Sequence, residues 1–273
     1  MKKFDGILFC TDIDGTLYND DKTISDDNLQ AIEYFKSEGG LFTFITGRHH
    51  IVSGEIYNAI KPNAPIGCLN GGGVYDYKKG EFLWCKTLPQ SAMELVREVH
   101  EKLPAIGYQL NVENNIYFCR NNKAMEYLRS GMPFPPVDCD YSDVNDTILK
   151  VVFAVETENE MSALIDLLNI HPMADDFDFI RSDLEYYEIL PKGTSKGIGL
   201  KKLAELMGID MKKTVAVGDY DNDISMISVA GTGYAVANAK DNVKAVADYV
   251  TASNNEHAIA KIIDDIDSGK VLI

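Results

Sequence analysis

The stretch GILFCTDIDGTLY, residues 6–18, carries an apolar run into two acids that are separated by a single residue. The run predicts a buried strand, because continuous apolar segments are typical of sheets covered on both faces. Asp12 and Asp14 repel each other and are costly to desolvate, so a divalent cation is the obvious compensation. Asp-Gly is also ordinary turn chemistry, and this stretch alone is compatible with a turn or with a site.

Strand and helix patterns alternate on the C-terminal side of these acids. Apolar runs at 41–45 and 66–69 predict two further strands, and a helix that Ser25 caps precedes the first of them. Another helix is predicted at 52–60. Strands and helices in alternation predict an α/β fold with a right-handed parallel sheet.

The middle of the chain has a different pattern. Two short apolar runs flank Glu113-Asn114-Asn115, which indicates a hairpin, and further strands and helices follow without regular alternation. The strand–helix pattern returns from Lys192 onward. We therefore predict a discontinuous core formed by residues 1–82 and 191–273, with an α+β insertion at 83–190.

Composition restricts the partners of the chain. The 273 residues carry a net charge of −16 and the pI is about 4.7, which argues against nucleic acid and anionic membranes as partners. A small anionic substrate stays compatible if a metal reverses the local field. Five scattered cysteines without CxxC spacing indicate free thiols, and no stretch resembles a membrane span. We expect a cytoplasmic protein.

Polar residues cluster at four positions, three of which follow predicted strands. The clusters are Asp12-Ile13-Asp14-Gly15-Thr16, Thr46-Gly47-Arg48, Lys192-Gly193-Thr194-Ser195-Lys196-Gly197 and Gly218-Asp219-Tyr220-Asp221-Asn222-Asp223. Ligands of open parallel sheets bind outside the carboxyl ends of the strands. Each cluster alone has a simpler explanation, such as a strand exit or a solvated helix start. Asn70-Gly71-Gly72-Gly73 is interpreted as a turn, because no GKS or GKT follows it.

Together the clusters supply the groups that phosphoryl chemistry needs. Asp12, Asp14 and Asp219 offer hard oxygen ligands for Mg²⁺. Thr46, Lys196 and backbone N–H groups, which glycine leaves approachable, can hold phosphoryl oxygens. A carboxylate beside the metal can attack phosphorus, and a second carboxylate can move the proton.

The ordered motifs DxDGT, TGR, KGxSKG and GDxxND resemble those of the haloacid dehalogenase superfamily, and the large insertion resembles its Cof-type phosphatases with a class IIB cap. The resemblance covers nearly the whole chain. It implies a doubly wound, Rossmann-like core with helices on both faces of the parallel sheet, and an insertion that acts as a cap over the substrate.

The resemblance also implies a role for each motif residue. Asp12 becomes the nucleophile and Asp14 the acid and base. The metal ligands are Asp12, the backbone carbonyl of Asp14 and Asp219, with Asp223 in support. The phosphate-binding residues are Thr46, Gly47, Lys196 and Asn222.

This chain departs from the family pattern at two places. The usual Asn-Gly-Ala is Asn70-Gly71-Gly72, and an acidic-Gly pair near the C-terminus is Glu256-His257. Neither departure affects the implied chemistry, but the second leaves the local turn open.

The sequence favours a Mg²⁺-dependent phosphatase acting on small phosphorylated metabolites such as sugar phosphates. The alternatives are a phosphomutase of the same superfamily and a phospho-acceptor module like a receiver domain, which needs neither a cap nor an acid. A structural protein with a degenerate site fits less well, because no motif residue is missing. In the insertion, Arg120, Arg129 and Arg181 could bind a second anionic group, although solvated surface positions also explain them.

Overall fold

The computed structural model describes residues 2–273, which form two compact units. The core unit comprises residues 2–48, Gly54–Trp84 and Ser195–Ile273, and the insertion unit comprises His49–Ser53 and Cys85–Thr194. The insertion therefore runs from residue 85 to 194 rather than from 83 to 190, and it gains a short segment after Arg48. Its action as a cap stays a prediction.

The described residues contain fourteen strands. In chain order they are β1 Leu8–Thr11, β2 Leu41–Phe44, β3 Ile66–Cys68, β4 Gly73–Asp76, β5 Glu81–Cys85, β6 Gly107–Val112, β7 Asn115–Arg120, β8 Val137–Asp138, β9 Ile148–Ala154, β10 Phe177–Arg181, β11 Tyr186–Pro191, β12 Thr214–Gly218, β13 Thr232–Ala235 and β14 Tyr249–Val250.

The same residues contain nine α-helices. They are α1 Asp26–Ser37, α2 Gly54–Ile60, α3 Ala92–Lys102, α4 Lys123–Ser130, α5 Glu158–Asn169, α6 Lys196–Met207, α7 Ile224–Val229, α8 Asp241–Lys244 and α9 Ala258–Asp267. Within residues 2–273, none of the helices is both long enough and apolar enough to span a bilayer.

The core unit is built on a five-stranded parallel sheet in the order β14-β13-β12-β1-β2. Strand β1 lies between β12 and β2 and is wholly buried, which explains its continuous apolar sequence. The predicted α/β fold with a parallel sheet is thus confirmed.

The third predicted strand, β3, is not a full member of this sheet. Apart from one parallel bridge between Ile45 and Gly67, it pairs antiparallel with β4 in a separate three-stranded sheet. The chain reverses at Leu69–Gly71 directly after β3, so most of the pairing of β3 is with the strand that follows it. The expected parallel pairing of this third strand is present only at the Ile45–Gly67 bridge.

Two helix boundaries follow the chemistry predicted for them. The Ser25 side chain accepts a hydrogen bond from the backbone N–H of Asn28, as a helix N-cap does. Helix α6 ends at Gly208, whose φ of +67° is the left-handed conformation that favours glycine. Local sequence therefore defines where α1 begins and where α6 ends.

Helix α9 was not predicted, and it begins at one of the departures from the family pattern. His257 precedes it with a φ of +59°, a conformation more common for glycine. The His257 ring nitrogen Nδ1 lies 2.9 Å from the Ser25 hydroxyl. The left-handed turn is thus present without the glycine.

The insertion unit has a six-stranded sheet in the order β10-β11-β9-β6-β7-β8, antiparallel except for the β7–β8 pair. One face carries an apolar cluster that α3 and α5 join, including Tyr108, Val151 and Phe153. The hairpin predicted around Glu113-Asn114-Asn115 is the β6–β7 connection. The predicted antiparallel α+β character of the insertion agrees with this sheet.

Candidate active site

Strand register brings the first and fourth motifs together. Thr11 pairs with Val217 across β1 and β12, and the backbone N–H of Asp12 donates to the Val217 carbonyl at 2.9 Å. Asp12 is therefore level with Gly218, and Asp219 comes next along the neighbouring strand end. Parallel strands with this register place residues that are 207 positions apart in the chain (219 − 12) at one edge of the sheet.

Three carboxylates and one lysine meet at this edge. One carboxylate oxygen from each of Asp12, Asp219 and Asp223 lies within 4.8 Å of the others. Lys196 Nζ is 2.5 Å from Asp12 Oδ1 and 2.6 Å from Asp223 Oδ1. The exposed fractions are 7% for Asp12, 2% for Lys196 and zero for Asp223, so these charges are largely removed from water.

The cluster has three carboxylates and one lysine, and burial makes the charged form of a carboxylate costly. Burial, followed by the nearby Asp223, raises the pKa of Asp12 to about 8 and the pKa of Asp219 to about 6. Burial lowers the pKa of Lys196, but the two carboxylates outweigh it, and the net direction is upward. Lys196 therefore stays charged, and a further positive charge beside Asp12 and Asp219 would favour the ionised form of both acids.

This donor set fits Mg²⁺. The ion prefers oxygen ligands and usually takes only one or two carboxylates with several waters. Asp12 and Asp219 can supply carboxylate oxygens, and a divalent charge would offset the burial and the repulsion by Asp223 that raise the pKa values of both acids. The residues at this position are therefore suited to the cofactor expected from the sequence.

Asp223 also fixes the shape of the fourth motif. Its Oδ2 accepts hydrogen bonds from the backbone N–H groups of Asp219 and Tyr220 at 3.0 and 3.1 Å. A Cβ at Gly218 would lie 2.4 Å from Asp223, so only glycine fits there. The remaining acid of the motif, Asp221, is bonded instead to Lys240 and Asn242.

Asp14 has surroundings different from those of Asp12. Its carboxylate is about two-fifths exposed and accepts hydrogen bonds from Arg48 Nη2 at 2.8 and 2.9 Å and from Arg48 Nε at 3.2 Å. Lys22 Nζ approaches it at 3.3 Å. The side chain of Asp14 thus makes its contacts with cations rather than with the carboxylates of the cluster.

Gly15 and Thr16, which follow the two acids in the chain, pack against Asp219. Gly15 has a φ of +78°, and a Cβ there would lie 2.5 Å from Asp219 Oδ2. The Thr16 hydroxyl donates to Asp219 Oδ1 at 3.0 Å. Glycine and threonine of the DxDGT motif therefore have a structural reason, because one admits the carboxylate and the other orients it.

The residues expected to bind phosphate also lie close to one another. The backbone N–H of Asn70 donates to the Thr46 carbonyl at 3.0 Å, and the Asn222 amide donates to Asn70 Oδ1 at 3.1 Å. A Cβ at Gly47 would lie 2.9 Å from Asn70 Oδ1. Lys196, the fourth of these residues, is bonded to Asp12 and Asp223. Whether any of these four contacts phosphate stays a prediction.

Two contributors were missed by sequence reasoning. The sequence pattern predicts only a strand exit at Arg48, whereas the structure pairs this residue with Asp14. The pattern predicts only a turn at Asn70, whereas the structure shows that Asn70 joins the second and fourth motifs. The available signal was their position, since Arg48 completes the TGR motif and Asn70 follows the third strand.

In the insertion unit, the three arginines considered for substrate binding hold the unit's own elements. Arg120 donates to the carbonyls of His100 and Leu103. Arg129 pairs with Asp138, and Arg181 pairs with Glu158 through both oxygens. These contacts explain the three residues without a ligand.

The acids thus lie at the carboxyl ends of parallel strands, where open α/β sheets bind their ligands. The profile of the haloacid dehalogenase-like hydrolases matches residues 9–263, and the chain therefore belongs to that family. The family predicted from the four motifs is confirmed, as is the predicted fold class.

Relatives named as phosphatases match over almost the whole chain. The chain is 27% identical over 265 residues to the 5-amino-6-(5-phospho-D-ribitylamino)uracil phosphatase YitU of Bacillus subtilis, with 94% of this chain and 96% of the relative covered. It is 28% identical over 270 residues to the pyridoxal phosphate phosphatase YbhA of Escherichia coli, with 94% and 97% covered. The predicted enzyme class, a phosphatase, is confirmed by these relatives.

A solved structure shares the fold. A haloacid dehalogenase-like hydrolase from Bacteroides thetaiotaomicron superimposes with a TM-score of 0.86 at 24% identity, covering 95% of this chain and 99% of that one.

Proposed function

We propose that the protein is a Mg²⁺-dependent phosphatase that hydrolyses small phosphate monoesters through a phosphoryl group carried on Asp12. The proposal rests on one observation: the side chains of Asp12, Asp219 and Lys196 lie close together at the carboxyl edge of the sheet. Bound Mg²⁺ supplies positive charge that offsets the carboxylates and the phosphoryl oxygens.

Asp12 acts as the nucleophile in this proposal. Its carboxylate oxygen forms a bond to phosphorus, the bond from phosphorus to the ester oxygen breaks, and Asp14 gives the leaving oxygen a proton. A water molecule then attacks the same phosphorus and passes its proton to Asp14. Phosphate leaves, and the Asp12 carboxylate is restored.

The remaining motif residues have supporting tasks. Lys196, Thr46, Gly47 and Asn222 hold the phosphoryl oxygens, and Lys196 exchanges part of its contact with Asp12 for the substrate. Asp219, together with the Asp14 carbonyl, completes the protein ligands of the metal, and Asp223 keeps the Asp219 loop in place. The hydrogen bonds of Asp223 to that loop support this last assignment.

The substrate is a small phosphorylated metabolite. Relatives named as phosphatases of a ribitylaminouracil phosphate and of pyridoxal phosphate support this class. The insertion unit selects among such metabolites, and the protein works in the cytoplasm, as its scattered cysteines without CxxC spacing suggest. A panel of phosphorylated metabolites assayed for phosphate release with Mg²⁺ identifies the substrate.

The decisive variant is Asp12→Asn. An amide cannot form the acyl phosphate, so turnover should fall by at least roughly 10³-fold while the fold is retained. The control is Asp21→Asn, which changes an exposed aspartate nearby. Mass spectrometry of acid-quenched wild-type protein should find the phosphoryl group on Asp12. Near-normal turnover by Asp12→Asn would reject the covalent route, and an isomerised product without free phosphate would indicate a phosphomutase.

A further inference from the structure

The loop after β3, Leu69–Gly71, is the one motif of the sequence to which the proposed chemistry assigns no task. Both Leu69 and Asn70 have a φ of +55°, which is unusual for residues other than glycine. Asn70 is 1% exposed. Backbone strain of this kind is kept only where the surroundings impose it, and it is frequent at functional positions.

Asn70 connects two of the segments assigned to phosphate binding. Its backbone N–H donates to the Thr46 carbonyl at 3.0 Å, and its side-chain oxygen accepts from the Asn222 amide at 3.1 Å. That oxygen occupies the space over Gly47, where a Cβ would come within 2.9 Å of it. One buried side chain therefore sets the spacing between residues 46–47 and residue 222.

The next residue extends the connection to the third segment. A Cβ on Gly71 would lie 2.2 Å from the Ser195 carbonyl and 2.8 Å from the Lys196 Cα. One turn along α6, a Cβ on Gly199 would lie 2.7 Å from the Gly71 Cα. The loop is thus in close backbone contact with the helix start that carries Lys196.

We infer that Asn70 is a positioning residue for the phosphate-binding groups, which it holds at the spacing that suits a phosphoryl group. The inference rests on the proposed function. Its hydrogen bonds reach the Thr46 carbonyl and the Asn222 amide, and both of these residues are assigned to phosphate, so its effect should be on phosphate binding. Groups fixed before a ligand arrives bind it more tightly, because less ordering remains to be done on binding.

The variant Asn70→Gly tests this directly. Glycine accepts a φ of +55° without strain and keeps the N–H that donates to Thr46, so the variant removes the side-chain contact alone. The probe is inorganic phosphate at saturating Mg²⁺, measured by calorimetry and as a product inhibitor. We expect phosphate to bind about tenfold more weakly, which corresponds to one hydrogen bond to a positioned group. Mg²⁺ should bind within about twofold of wild type, because the acids are unchanged.

The matched control is Asn63→Ala. Asn63 likewise bonds to backbone, with the Phe42 N–H and the Gly40 carbonyl as partners, but at the far end of β2. It should lower the melting temperature without changing phosphate affinity. If Asn70→Gly does not fold, Asn70→Ala removes the same acceptor and keeps the N–H that donates to Thr46, and phosphate should again bind about tenfold more weakly.

The single and double variants of Asn70 and Asn222 separate positioning from general stability. If Asn70 acts through Asn222, Asn70→Gly combined with Asn222→Ala should weaken phosphate binding by little more than Asn222→Ala alone. Wild-type phosphate affinity in Asn70→Gly, or fully additive effects in the double variant, would overturn the inference. Failure of the wild-type protein to bind phosphate with Mg²⁺ would instead reject the proposed function on which it rests.

Discussion

Asp12 and Asp14 are two residues apart, yet they lie in opposite environments. Asp12 is buried beside Asp223 and Lys196, whereas Asp14 is partly exposed and bonded to Arg48. Two carboxylates with different surroundings can take different roles in one reaction. At the residue scale, the proposed nucleophile and the proposed acid are therefore distinguished by their neighbours rather than by their chemistry.

Asp14→Asn should affect substrates according to their leaving groups. An alkyl phosphate leaves as a basic alkoxide and needs a proton, whereas p-nitrophenol leaves readily without one. The first step should slow by about 10²–10⁴-fold for a sugar phosphate and far less for p-nitrophenyl phosphate. Rapid-quench measurement of leaving-group release isolates this step from the shared hydrolysis of the intermediate. Equal slowing of both substrates would show that Asp14 is not the acid.

At the scale of elements, the start of α6 is fixed by the loop after β3. Backbone packs on backbone here, since Gly71 leaves no space for a side chain against Ser195 and Lys196. Ser195 caps the helix by accepting from the Ile198 N–H. Lys196 is thus positioned beside the acids by a helix whose start packs on Gly71 and is capped by Ser195.

Gly71→Ala should destabilise the protein far more than Gly80→Ala. Both glycines have a positive φ, of +83° and +72°, but a Cβ at Gly80 meets nothing within 4 Å. Gly80→Ala should cost about 1–2 kcal/mol for the left-handed conformation alone. Gly71→Ala adds overlap with Ser195, which typically costs about 1–3 kcal/mol more. Denaturant unfolding of the two variants measures the difference, and equal losses would contradict the close packing.

At the scale of the whole molecule, the net charge is −16, and the acids of the site make the stability of the fold depend on pH. An acid whose pKa is raised by folding binds protons more tightly in the folded state. Its stabilising contribution is present at low pH and is lost as the pH rises through the folded pKa. For Asp219 that loss falls between about 3.8 and about 6, and for Asp12 it extends to about 8.

Mg²⁺ should therefore stabilise the protein more at pH 8.5 than at pH 5.5. Protons compete with the metal for the same carboxylates, so the ion gains most where the acids are ionised but poorly compensated. The measurement is the melting temperature with Mg²⁺ and with EDTA at both pH values. Asp219→Asn should remove most of the shift. A Mg²⁺ shift that is larger at pH 5.5 would contradict this arrangement of charges.

The sequence by itself determined the family, the parallel α/β core and the four motifs, because these depend on local features. A buried strand shows in an apolar run, an N-cap in Ser25, and a helix end in Gly208. The ordered motifs are specific enough to indicate a shared chemistry. These features are set by residues that are neighbours in the chain, and a linear pattern can record them.

Only the tertiary structure decided which side chains meet across long chain separations. The pairing of Asp14 with Arg48 and the contact of Asn70 with Asn222 depend on how strand ends align, and no local pattern encodes that alignment. The assignment of His49–Ser53 to the insertion unit is of the same kind. The physical reason is tertiary packing. The contacts of a carboxylate or an amide depend on which distant residues the fold places beside it.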